Sequence, residues 1–552
     1  MTRFCHVVWF GVASLGFAGC GGRAPAPAPS PANNAAPHEN LSRIVDRYWD
    51  ERAPPGNPLS QQSLADALAA EQRFLAEILA VPRDPLDVDA RLTYDIFKRQ
   101  REAAIEGFTY PAELMPVNPF DGIPQQLARA AADTALKPRS TALDNENWQL
   151  RIDAYVGWTR QAIANMREGA RRGYTSPRVL IERMLPLFEH LGEDTAENVF
   201  YSPVRGMPEP VSRAYTRAVK EKLLPACREL HDFLQTEYLP RARQSIGLSA
   251  LPLGPSWYVS SARRSTGTRL TPNEIHALGV AEVDRIRARM LAVPPPAPRA
   301  APVDLLVAYQ DLKERTLAAL PVLFSDLPKA DFEIRPIVPL NPAWTRLSYR
   351  VAAPDGHSPA VLYVDTAGAP AAGPEIADFL RQAIPGRHLQ SAIQQARADL
   401  PKFRRFGGEP AFVDGWALYA ASLGEELGLY GDDGAKREAL AAQLNCAAAL
   451  VVDTGIHAMD WSRAQAAAYL RAQLALDETD ALLMTDRFIA LPAEALACKI
   501  GELKFRALLG RAQQLLGARF EIRGFHAEIL KDGAMPLDIL EAKMQRWVEA
   551  QH

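Results

Sequence analysis

Apolar residues recur at three- and four-residue spacing along nearly the whole chain, and one short segment breaks that rhythm. Leu64 to Leu79, Trp148 to Arg171, Pro210 to Tyr238, Thr271 to Leu291, Pro302 to Leu320, Lys436 to Met459 and Arg463 to Leu476 carry the helical period, with charged residues between the apolar ones. Thr271-Pro-Asn-Glu274 is a helix start: a capping Thr, Pro in the first turn and Glu three residues after the cap. The exception lies at about 331–366. Phe332-Glu-Ile-Arg-Pro-Ile-Val alternates, as does Thr345-Arg-Leu-Ser-Tyr-Arg-Val; Ala360-Val-Leu-Tyr-Val-Asp365 follows as a third strand, with Asn341-Pro342 and Asp355-Gly356 as turns between them. The pattern predicts a mainly α fold with one small, mostly antiparallel β-sheet.

The first forty residues read differently. Arg3 gives a positive start, and Val7 to Gly19 is an apolar run too short to hold a chain across a bilayer. Phe17-Ala-Gly-Cys20 has the form of a lipobox, which makes residues 1–19 a signal peptide and Cys20 the lipidated first residue of the mature chain. A plain secretory signal with an incidental Cys is the alternative. Gly21, rather than Asp, follows the Cys, which by the usual sorting rule of two-membrane bacteria places the protein at the outer membrane, facing the periplasm. Arg23 to Asn40 holds alternating Ala and Pro and no side chain large enough to build a core, so residues 20–40 form an extended tether. Residues 41–552 are then the folded part.

Size does not limit the core of a chain this long that is 48% hydrophobic. The net charge of −3 comes without a basic stripe, which argues against nucleic acid as a partner. With Cys20 acylated, Cys227, Cys446 and Cys498 remain in the mature chain. That allows one disulfide at most, and their spacing matches no Cys-based zinc site.

The chemistry-bearing stretch is Arg381-Gln-Ala-Ile-Pro-Gly-Arg-His-Leu-Gln390. Phe412-Val-Asp-Gly-Trp-Ala-Leu-Tyr-Ala-Ala421 follows, then Val452-Asp-Thr-Gly-Ile-His457, Arg487-Phe-Ile-Ala-Leu-Pro492 and Cys498-Lys-Ile-Gly501. Phe525-His526 with Gly533 and Pro536-Leu537 closes the series; Met166-Arg-Glu-Gly169 and Leu270 to His276 precede it. In this order the stretches resemble a bacterial family known as domain of unknown function 885, from about residue 40 to the C-terminus. Members of that family look like gluzincin-type zinc metallopeptidases, in which a small sheet leads into the metal-site helix. Their segments read His-Glu-x-x-Pro-Gly-His-His-x-Gln and Phe-x-Glu-Gly-Trp-Ala-x-Tyr-x-Glu.

The resemblance places the degenerate site at 375–501. A ligand His is replaced by Arg381, the general-base Glu by Gln382, the first of the paired His by Arg387, a ligand Glu by Asp414 and a Tyr by Cys498; His388 and His457 are kept. Arg has no lone pair to offer a metal, and Gln cannot take a proton from water. The resemblance therefore implies a protein without zinc and without a working base: a pseudoenzyme that binds peptide or acts as a scaffold. The competing reading is a hydrolase with a rearranged metal site (His388, Asp414, His457) or a Cys498 nucleophile. Two arginines in place of the metal either clamp an external carboxylate or fill the site, and the expected filling is an Arg381–Asp414 ion pair. His457 reads either as a substrate-contacting residue or as a buried His bonded to a carboxylate such as Asp453.

Overall fold

A computed structural model describes residues 37–551 apart from 53–55, 136–141, 205–208, 296–302, 338–346, 355, 357 and 367–372. The signal, Cys20 and most of the tether lie outside the described residues, as does the Asn341-Pro342 turn. Helix dominates, and each stretch with the helical period is helical: Gln61–Leu79, Ala142–Arg172, Pro272–Leu291, Leu305–Ala319, Asp433–Ala458 and Arg463–Leu474 among them. The start at Thr271 is a full capping box: Thr271 Oγ1 accepts from Glu274 N, and Glu274 Oε2 accepts from Thr271 N at 2.8 Å. Residues 209–238 form one continuous helical rod in which two short π-helical stretches alternate with α-helix.

The sheet has three strands, β1 (Phe332–Ile337), β2 (Leu347–Arg350) and β3 (Ala360–Asp365), in the order β1-β3-β2. β3 pairs parallel with β1 and antiparallel with β2, so the sheet is mixed rather than mostly antiparallel. The cause is visible in β3: all six of its residues are buried, as suits a central strand covered on both faces. An antiparallel meander would have put β2 in the middle.

The main core joins the sheet, the 376–421 region and the C-terminal helices around Phe379, Trp416, Phe505 and Phe525. A second cluster, within Val117–Tyr238, is built on Trp148, Tyr155, Phe188 and Tyr215. A third cluster surrounds the Asp433–Ala458 helix, and buried Asp486 ties it to the second, accepting from Arg183 Nη2 at 2.6 Å and from Arg463 Nε at 2.6 Å. The Asp433–Ala458 helix is apolar enough to cross a bilayer by composition, but its apolar stretch is 89% buried and serves as a core helix. The Pro410–Ala421 and Leu496–Leu516 helices pack backbone to backbone. A Cβ on Gly415 would lie 2.3 Å from Gly501 Cα, and one on Gly501 would lie 1.8 Å from Ala411 O, so both positions need glycine for the backbones to touch. That contact fixes Asp414, one residue before Gly415, deep in the protein.

Candidate functional site

The Arg381 stretch is divided between two helices. The Ile376–Gln382 helix stops, and a second helix begins at Arg387. Between them Gly386 N donates to Leu380 O at 2.9 Å and His388 N to Ala383 O at 2.9 Å, so the regular i→i−4 ladder is broken. A Cβ on Gly386 would sit 2.0 Å from Arg381 O, which leaves glycine as the residue that fits. Trp416 Nε1 holds the break from the neighbouring helix by donating to Pro385 O at 3.0 Å. Pro385, Gly386 and Trp416 thus form one structural joint.

The charges pair differently from the sequence expectation. Arg381 donates from Nε and Nη2 to Asp378 Oδ1 at 2.9 and 2.6 Å. The carboxylate of Asp414 pairs instead with Arg387 Nη2. Asp378 is three residues before Arg381 on the same helix, within easy reach. Arg387 opens the second helix, which packs on the Asp414 helix. The filling ion pair is therefore Arg387–Asp414. All six of these positions are enclosed: Arg381 is 2% exposed, Gln382 0%, Arg387 7%, His388 2%, Asp414 4% and His457 1%. The amide oxygen and nitrogen of Gln382 and the Nε of Arg387 are buried without a hydrogen-bond partner.

His388 and His457 are both fully engaged. His388 Nδ1 meets Tyr349 Oη at 2.9 Å and Nε2 meets Ala330 O at 2.9 Å, which pins the helix after the break to β2 and to the approach to β1. His457 Nδ1 accepts from Leu248 N at 3.0 Å, and Nε2 donates to Phe488 O at 2.9 Å. Burial pushes both imidazoles down to about 4, so they are neutral at ordinary pH. His457 is not bonded to Asp453. Asp453 accepts from Tyr258 Oη at 2.6 Å and from Ala493 N at 3.0 Å, and burial pushes its carboxyl up to about 7. Ala493 has a left-handed backbone (φ 66), so the Asp453 carboxylate braces a strained turn.

Cys498 is no free nucleophile: its sulfur is bonded to Cys446. The bond joins the Asp433–Ala458 and Leu496–Leu516 helices and overturns the thiol reading. Next to it, wholly buried Lys499 reaches Glu282 and Glu502, each at 2.8 Å, so the kept Lys of the Cys-Lys-x-Gly motif is a structural cation.

A zinc ion, as the resemblance implies, needs three donors of His, Asp, Glu or Cys type with free lone pairs. Arg381 donates to a carboxylate, Asp414 is taken by an arginine, and the histidines spend both ring nitrogens on other partners. Among the described residues, no group of three or more His, Cys, Asp or Glu side chains is placed to hold a metal. The residues present do not fit zinc. Sequence reasoning missed Asp378, Tyr349, Tyr258 and the Cys446 partner. The first had a signal in its i, i+3 spacing to Arg381; the others are long-range contacts that no local pattern announces.

Comparison with known proteins agrees with this architecture. The family described as "Bacterial protein of unknown function (DUF885)" matches residues 55–544, and the chain belongs to it. No curated protein matches. Among solved structures, a candidate lipoprotein from Colwellia psychrerythraea is similar at 21% identity with a TM-score of 0.83, over 94% of this chain and all of that one. A candidate lipoprotein of unknown function from Shewanella oneidensis is similar at 14% identity with a TM-score of 0.69, over 93% of this chain and all of that one. At these identities the likeness is one of fold.

Proposed function

Starting from membership of this bacterial family, we propose that the chain is an exported, lipid-anchored envelope protein that keeps a zinc-peptidase-like frame and works without catalysis, as a scaffold. The observation that carries the reading is the buried Arg387–Asp414 pair, with Arg381 turned onto Asp378: cations fill the place where the resemblance puts zinc. Gln382, in the place of the base, is wholly buried and has no proton-accepting chemistry. A fully enclosed set of side chains favours scaffolding over peptide capture, which needs an accessible groove. The lipobox at Cys20 supports the anchor, and the similar proteins from Colwellia and Shewanella, themselves described as candidate lipoproteins, support it too.

The retained frame is tested by reversion. A variant carrying Arg381→His, Gln382→Glu, Arg387→His and Asp414→Glu should fold and gain about one zinc per chain, as a three-ligand site takes one ion. A folded variant that takes no zinc contradicts the peptidase-like frame. The anchor is tested by palmitate labelling of cells: label in the parent and none in Cys20→Ser is expected, and equal label in both contradicts it.

A further inference from the structure

One corner of the molecule displays apolar side chains that the monomer does not use. Leu253, at the start of the Gly254–Thr266 helix, is 55% exposed; Val259 on that helix is 37% exposed; Phe108, just after the Val88–Gly107 helix, is 36% exposed. Tyr110 ties the two elements together: its ring stacks on Trp257 at 5.6 Å and its hydroxyl donates to Ser256 O at 3.0 Å.

Leu253 is the telling residue. Its backbone is left-handed (φ 57, ψ 6), a conformation that costs strain for any residue with a Cβ and suits Gly or Asn better. The turn itself is required, because Gly254 abuts Leu248 so closely that a Cβ would lie 1.9 Å from its carbonyl oxygen. The leucine is not required by the fold. It adds strain and gains little from burial, so the value of its side chain lies outside the monomer.

The rim is basic. Arg263 pairs with Glu106 at 3.4 Å, Arg172 lies over the Tyr174 ring at 5.7 Å, and Arg264 lies beside Gly107. Among the described residues, Arg172 and Arg264 have no carboxylate at ion-pair distance. Glu106 acts on both Arg263 and Arg264, which leaves an excess of arginine at the rim; apolar side chains beside that excess match an anionic phospholipid surface, with the side chains entering the headgroup–acyl boundary and the arginines meeting phosphates. We propose that this corner is a second membrane contact, seated on anionic phospholipid. It rests on the lipid-anchor reading only for the nearness of a bilayer. The distances permit both contacts at once. His38 near the tether is bonded to Asp87, at the start of the 20-residue Val88–Gly107 helix, and the corner is at its other end, about 30 Å away. Residues 21–36, at no more than about 3.5 Å each, can reach at most about 55 Å.

Amide hydrogen–deuterium exchange on the full chain reads the corner directly. It is run alone, with phosphatidylcholine vesicles, and with vesicles that also hold phosphatidylglycerol. Exchange across 105–112 and 252–264 should slow at least about threefold with the anionic vesicles only, and the effect should fade at about 0.5 M salt. Leu253→Gly relaxes the backbone and so keeps the fold; it should lose the protection while melting no lower than the parent. Unchanged exchange with anionic vesicles overturns the proposal. So does protection that grows with protein concentration in the absence of lipid, which would make the corner a contact between two copies. Acylation of Cys20 is scored separately by palmitate labelling, so failure of the anchor does not register as failure of the corner.

Discussion

Replacing Asp414 by Asn should be among the most damaging conservative changes in this protein, and replacing Arg387 at the same time should repair much of the damage. Their side chains are 4% and 8% exposed, so the pair is cut off from water. The Arg387 Nε is already buried without a partner, and Nη2 is directed at Asp414. Asp414→Asn therefore leaves a desolvated guanidinium facing a neutral amide, a change that costs roughly 3–5 kcal/mol when one partner of a buried pair is removed. Arg387→Met removes the cation itself and fills part of its volume with an apolar chain. In the double variant the unpaired cation is gone, and its cost should fall below that of Asp414→Asn alone by about 2 kcal/mol or more. Chemical unfolding of parent, single and double variants, followed by circular dichroism and by tryptophan fluorescence, gives the four free energies. Trp416 at the joint beside the pair is one of nine tryptophans, so the fluorescence follows the site together with the rest of the fold. Additive effects would show that the two groups are uncoupled and would refute the filled-site argument.

Three further outcomes follow from the same contacts. The Cys446–Cys498 bond closes a loop of 52 residues, so Cys446→Ser with Cys498→Ser should lower stability by about 4 kcal/mol, and mass spectrometry of the unreduced parent should show one peptide pair joined by a disulfide. Asp453 has a carboxyl raised to about 7, so its protonated form is the favoured one in the folded state. The stability tied to it is present below the ordinary carboxyl range and is lost as pH rises towards 7, and Asp453→Asn should flatten that slope in unfolding curves taken from pH 4 to 8. His388 and His457 behave in the opposite sense: both are held down at about 4, so stability falls as pH drops from about 6.5 towards 4, by roughly 2–3 kcal/mol for each. A histidine-to-glutamine variant that kept the full acid slope would contradict this.

The helices were legible in the sequence because local chemistry decides them. Thr271 and Glu274 cap the same helix that their spacing announces. The three strands were legible from short β-prone runs between turn residues, but their order was not, since parallel pairing of β1 with β3 depends on packing across the sheet rather than on any turn. The unbroken apolar run Ala360 to Val364 was the available sign of a central strand. At the site, the positions were found and their partners were not. The break at Ala383 to Gly386 shifts everything after it to a new phase and brings Arg387, not Arg381, to Asp414, and no residue spacing shows that phase change. Cys446 and Cys498 showed no pairing in sequence because the two helices that carry them are brought together only by the fold.

The central claim is that arginine-held carboxylates stand where a peptidase would hold zinc. It is tested most directly by elemental analysis of the purified protein, repeated after incubation with excess zinc and desalting, with hydrolysis of a peptide mixture followed on the same samples. The account predicts far less than one zinc per chain in both cases and no metal-dependent cleavage. About one zinc per chain, lost with His388→Ala or His457→Ala and accompanied by cleavage that a chelator abolishes, would contradict it.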